Sequence, residues 1–315
     1  SHDGCDDQGF VDGVRNEECV QQFRDELCET AQDFMFITDH SDNYADFEYP
    51  EVLLYDQAAG DELITRDGTP VANWMTCSDG RRVLMTAGVD KHLLALGLEG
   101  HAAPDPQSRR DLYGSKTIEV VDRLKAQGAI VVSGYSDEWD PDLLYTLPLD
   151  GFELYNPVTN LRTNMEPIIQ GLLDMLFEPE KVPVPELAMI LAFEENQENL
   201  HRWATLLEMR PVFNYVGTNA HRNTFAEDAG DGERLDSYRR LWHWFSNYVL
   251  IPGDVTIDDR VYKEAFLAGR LWHTFNFLGY ATGFDFYAEE NGAPYEMGSH
   301  FDGASAVHTH MTNSR

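Results

Sequence analysis

Apolar residues along this chain recur at two alternating spacings, and the alternation predicts the architecture. Between Glu17 and Gln32, Val20, Phe23, Leu27 and Ala31 fall three or four residues apart, with acids in the first turn. That is the period of a helix with one buried face. The run Asp33-Phe34-Met35-Phe36-Ile37-Thr38 is short, apolar and without that period, so it reads as a buried strand. Residues 41–80 form a polar, Gly- and Asp-rich excursion with weak local helix around Leu53–Ala59. Two short strands rich in Val, Leu and Met follow, Arg82–Gly88 and His92–Leu98. After a loop carrying Pro104 and Pro106, Ser115 is the expected cap of a helix that presents Ile118, Val121 and Leu124 on one face and stops at Gly128. The strand Ala129–Ser133 comes immediately after it.

The same alternation continues to the end. A short helix near Pro141–Tyr145 precedes a strand Gly151–Tyr155, and helical stretches occupy Pro167–Phe177 and Glu194–Met209. The strand Val212–Thr218 leads to helices near Leu235–Tyr248 and Asp258–Ala268, and the aromatic, Gly-rich stretch Phe275–Glu296 reads as a closing hairpin. No internal repeat or low-complexity linker interrupts the series. Alternating β and α units over this length imply an α/β fold with a largely parallel sheet, either open or closed into a barrel. Polar clusters recur at the C-terminal ends of the strands, which favours closure, because barrel enzymes carry their chemistry on that face.

Composition narrows the class of partner. At 315 residues the chain can bury a full core, as one barrel-sized domain or as two smaller ones. Its formal charge of −32 repels phosphate backbones and anionic lipid, so neither nucleic acid nor a membrane surface is an expected partner. A small-molecule substrate fits that surface better than an anionic polymer. No apolar run is long enough to cross a bilayer. Cys5, Cys19, Cys28 and Cys77 show no metal-binding Cys spacing, which leaves disulfides and an oxidising, secreted or periplasmic setting in view beside buried free thiols. Cys19 and Cys28 would lie roughly 13 Å apart along one helix. That exceeds the roughly 7 Å limit for a bridge, so those two are not expected to pair.

The chemistry-bearing side chains gather where strands end. The first strand runs into Asp39-His40, and Arg82–Gly88 into Val89-Asp90 with His92 just beyond. Glu153 lies on Gly151–Tyr155, and Val212–Thr218 runs into Asn219-Ala220-His221. Near the C-terminus, His308 and His310 stand two apart on a strand-like run, so both imidazoles point to one side, and His2 stands near the N-terminus. A lone histidine is usually a satisfied polar residue. Imidazole and carboxylate recurring at successive strand ends instead suit divalent Zn, Mn or Fe.

These elements, taken in order, resemble the PHP family, the polymerase and histidinol phosphatase metal-dependent hydrolases, and most of all its secreted or periplasmic branch. The resemblance is carried by H-T-H at 308–310 with S-H-D-G at 1–4, F-I-T-D-H-S-D at 36–42, G-V-D-K-H at 88–92, F-E-L-Y-N at 152–156 and G-T-N-A-H-R-N at 217–223. It implies a distorted (β/α)7 barrel with a small C-terminal β extension and a site of up to three metals. It further implies that His308 and His310 hold one ion, that Asp90 bridges it to a second, and that His40, His221 and His2 hold a third. His92, Glu153 and Asn219 are the remaining candidate ligands. Asp39 would orient His40, and Arg222 would contact an anionic substrate group.

Three positions depart from the family pattern. The bridging acid, usually Glu, is Asp90; the acid before Ala-His is Asn219; and the family's histidine after the fifth strand is replaced within Ser133-Gly134-Tyr135. Because the first motif is split between the termini, the resemblance also implies a circularly permuted single domain over 1–315, with about 304–311 supplying the first barrel strand. The expected activity is that of a metal-dependent hydrolase, most readily a phosphoesterase, in which a metal-bound hydroxide attacks a small substrate. The contrasting expectation is a degenerate, non-catalytic metal- or ligand-binding protein.

Overall fold

The computed structural model describes residues 4–300 and 306–314. A left-handed turn at Gly4–Asp7 leads into a hairpin of two-residue strands, β1 (Phe10–Val11) with β2 (Val14–Arg15). The helix Glu17–Cys28 follows, its first turn capped by the Asn16 side chain, which accepts from the Glu18 and Cys19 amides. It ends four residues before the periodic pattern does. The Arg81 guanidinium donates to the carbonyls of Leu27, Cys28 and Gln32 and so closes the last turn. Both cysteines of this helix are in disulfides, Cys5–Cys19 and Cys28–Cys77, and they do not pair with each other. Such bonds fit an oxidising compartment. No helix among the described residues is long and apolar enough to cross a membrane.

The centre of the molecule is an eight-stranded sheet. Its members are β3 (Phe34–His40), β4 (Glu62–Arg66), β5 (Thr69–Thr76), β6 (Arg82–Asp90), β7 (Leu93–Leu98), β8 (Ile130–Ser133), β9 (Gly151–Tyr155) and β10 (Phe213–Val216). The path runs β10-β9-β8-β7-β6-β5-β4, with β3 paired in parallel along β6. Helices Ile118–Ala126 and Gln197–Met209 pack on it through Val121, Leu124 and Leu206, sharing one core with Val89, Ala95, Val131 and Phe152. The cap of Ile118–Ala126 is Thr117 rather than Ser115, and Ile118 is 48% exposed, off the expected buried face.

Two expectations are corrected. The sheet is not largely parallel. The polar excursion at 41–80 contains the β4–β5 hairpin, and β4, β5, β6, β7 and β8 are joined in antiparallel fashion. Parallel pairing is kept for β3 with β6 and for β8, β9 and β10.

Nor is the sheet a closed (β/α)7 barrel. Closure requires its ends to be hydrogen-bonded, and among the described residues no pairing joins β10 to β3 or to β4. The outer edge of β10 is already used. The Val216 amide donates to Asn247 Oδ1 at 3.0 Å, and Asn247 Nδ2 donates to the Val216 carbonyl at 2.9 Å. Asn247 belongs to β11 (Ser246–Val249), which pairs with β12 (Leu271–Thr274) in a sheet of its own.

The C-terminal residues make a further sheet, β13 (Tyr280–Glu290) flanked by β14 (Ala293–Glu296) and β15 (Ala306–Ser314). The segment expected to supply a first barrel strand therefore lies antiparallel to β13, with His308 opposite Tyr287 and His310 opposite Asp285.

Candidate metal centre

The parallel register of β3 and β6 sets His40 directly opposite Asp90. Both are the last residues of their strands, so imidazole and carboxylate emerge at one level from one end of the sheet. His221 arrives from the loop after β10. Its ring centroid lies 5.2 Å from that of His40. Ligand atoms of His40, Asp90 and His221 all lie within 4.8 Å of one another. Asp90 is buried and the two histidines are half-buried, an arrangement open to solvent on one side. Two imidazoles and one carboxylate suit a divalent transition metal such as Zn, Mn or Fe, and three protein ligands leave further coordination positions for water or substrate.

The surroundings orient these groups. Asn219 Oδ1 lies 2.9 Å from His221 Nε2 and accepts from the Tyr135 hydroxyl at 3.4 Å. An amide oxygen accepting from Nε2–H leaves the lone pair of a neutral imidazole on Nδ1. The Tyr238 hydroxyl donates to the His221 carbonyl at 3.1 Å.

Glu153, on β9, is almost completely buried. It accepts from the Tyr135 amide at 2.6 Å and from Asn156 Nδ2 at 3.1 Å. Burial, reinforced by the nearby negative charge of Asp90, pushes its carboxyl up to about 8. Burial likewise raises the Tyr135 phenol, with Asp90 and Glu153 adding to the effect. Gly217 leaves room for this carboxylate, since a Cβ there would stand 2.6 Å from Glu153 Oε1. A cavity of about 190 Å³ reaches from these polar groups into the gap between β3 and β10, walled by Phe34, Phe36, Tyr215 and Phe245.

Comparison with known proteins identifies nothing. No family model matches the chain, and no curated protein or solved structure matches it either.

The structure brings some of the expected site residues together and separates others. His40, Asp90 and His221 converge, and Asp90 and His221 share the wall of the cavity with Glu153 and Asn219. His92, on the turn between β6 and β7, is outside the group of three. Burial lowers its imidazole, and Lys116 and Lys91 push it the same way. Asp39 faces the other side of β3, beside Phe10, Tyr44 and Phe47, and its carboxylate accepts from the His40 amide rather than the imidazole.

Arg222 turns toward the helix Glu17–Cys28, with Nε 3.9 Å from Glu26. His2 and the side chains of His308 and His310 lie outside the described residues. Tyr135, Asn156 and Tyr238 were not anticipated as site residues. Tyr135 could have been found, because it stands just past the end of the apolar run Ala129–Ser133, as the other candidates stand past theirs. Tyr238 lies within a helix, and nothing in its local sequence marks it.

Proposed function

We propose that this protein is a metal-dependent hydrolase whose centre is formed by His40, Asp90 and His221. The carrying observation is the convergence of two imidazoles and a buried carboxylate from distant parts of the chain at one end of a sheet. A divalent ion held there would lower the pKa of a water and polarise a phosphoryl or acyl oxygen, which is the chemistry of ester hydrolysis. The resemblance to PHP hydrolases supports the same reading, on an open sheet. Asn219 holds the His221 ring in orientation, as partners of ligating histidines do. Glu153, protonated up to about pH 8, can hold or release a proton beside the site, and the Tyr135 hydroxyl can turn its one hydrogen from Asn219, 3.4 Å away, to a substrate oxygen.

The substrate class that fits best is a small phosphoester with an apolar or aromatic group, since the adjoining cavity is aromatic-walled and of limited volume. The test combines two readouts. Elemental analysis of the purified protein should find a transition metal in the wild type and its loss in His40→Ala. Hydrolysis of 4-nitrophenyl phosphate with added Mn²⁺ or Zn²⁺ should fall at least about a hundred-fold in that variant. Metal uptake without hydrolysis of aryl phosphates or esters would leave a binding protein, and absence of both would remove the proposal.

A further inference from the structure

His40 and Asp90 are carried by paired strands, whereas His221 hangs on a loop, and the structure shows what holds that loop. Asn219 and Arg222 on either side of it have left-handed backbone, φ 49° and 56°. The segment facing them is a left-handed turn in which Cys5, Asp6 and Asp7 have φ 54°, 56° and 62°. Asn and Asp tolerate this conformation as single residues, but for Cys and Arg, and for three successive L-residues, it is costly and needs contacts that hold it.

Those contacts are specific. The Cys5 amide donates to the His221 carbonyl at 3.3 Å and the Asp6 amide to the Arg222 carbonyl at 2.9 Å. The Asp6 carboxylate accepts both Arg234 guanidinium nitrogens, at 2.6 and 2.8 Å, and that ion pair holds its carboxyl below the usual range. The Tyr238 hydroxyl donates to the same His221 carbonyl and lies 3.9 Å from Cys5 Sγ. The whole turn is joined covalently to the first turn of the helix Glu17–Cys28 by Cys5–Cys19.

We propose that the Cys5–Cys19 disulfide positions His221 for metal binding, so that its reduction weakens the metal centre. This rests on the reading of His40, Asp90 and His221 as a metal site. In the reductive step a dithiol attacks the S–S bond. Two electrons and two protons end on the Cys5 and Cys19 thiols, and the reductant leaves as its own disulfide. The turn then loses the covalent restraint on its left-handed backbone, and the two amides that hold the 221–222 carbonyls are no longer presented together. Cys28–Cys77 joins the other end of the same helix to the residue just after β5 and supplies an internal control.

The experiment is a calorimetric titration with Mn²⁺, chosen because thiolates exposed by reduction favour softer ions such as Zn²⁺. The intact protein is compared with Cys5→Ser/Cys19→Ser, Cys28→Ser/Cys77→Ser and His40→Ala. A mispositioned ligand typically costs about ten-fold or more in metal affinity. That loss is expected in the first double variant, with a change of no more than about two-fold in the second, although both lose thermal stability.

Equal Mn²⁺ affinity in the wild type and Cys5→Ser/Cys19→Ser would overturn the coupling alone. An equal loss in both double variants would overturn it as well, since the effect would then be general loosening. No Mn²⁺ uptake by the intact protein would overturn the site itself and the coupling with it. Should the first double variant not fold, Arg234→Gln frees Asp6 without touching a cysteine. It is expected to weaken Mn²⁺ binding a few-fold with unchanged circular dichroism, and unchanged affinity in it would overturn the proposal.

Discussion

At the scale of single residues, the proposed site depends on groups beside the three that converge at its centre. Asn219 accepts from His221 Nε2 and from the Tyr135 hydroxyl. Asn219→Ala should therefore cost about ten-fold in metal affinity with little change in fold stability. Asn219→Asp, which accepts the same hydrogen bonds with a full charge, should retain or strengthen binding; a metal titration of both variants checks this.

Glu153 carries a pH signature. Its carboxyl titrates near 8 in the fold against an ordinary 4.5. Below 4.5 both folded and unfolded chains hold the proton. Between 4.5 and 8 the unfolded chain releases it first, so the folded state binds more protons and stability falls as pH rises. With chelator present, the urea midpoint should decline from pH 5 to pH 8, and Glu153→Gln should flatten that decline. His40, Asp90 and His221 were all legible as candidates because each follows a strand-like run. Asp39 and Arg222 were legible as residue types but not as directions. Alternation along β3 turns Asp39 to the face opposite its neighbour, and the left-handed backbone at Arg222 swings its side chain away.

At the scale of elements, the period of the apolar residues found most of the central strands and nearly all the longer helices. It missed the hairpin of β4 and β5, whose residues mix polar and apolar without clean alternation, and it extended the helix at Glu17 past Cys28. Arg81, far along the chain, ends that helix, and no local pattern contains it. Strand β6 is the hub, pairing with β3, β5 and β7. Its register with β7 shifts between Ala87 and Val89, and Gly88 makes the shift sterically feasible, because a Cβ there would stand 2.1 Å from the Ala95 carbonyl oxygen. Gly88→Ala should destabilise the protein by about 1–3 kcal/mol through this overpacking. It should also weaken metal binding, since Asp90 is two residues on; urea denaturation and metal titration read the two effects separately.

At the scale of the whole molecule, the charge of −32 acts on the compact state as self-repulsion. Added sodium chloride screens it, so the melting temperature should rise between low salt and about 0.5 M, where the screening length falls to a few ångströms. A melting temperature unchanged across that range would show that repulsion among the surplus acids is too weak to oppose packing and local ion pairs such as Arg240 with Glu186 and Asp231. Composition, the α/β alternation and the placing of imidazoles and carboxylates at strand ends all follow from short-range pattern, because strand and helix periods are properties of a few consecutive residues. Which edges pair is a long-range matter. The free edge of β10 meets the Asn247 side chain at Val216 rather than β3, and the His308–His310 segment pairs with β13. Hydrogen-bonding edges are alike in every strand, so only the packed molecule could choose among them.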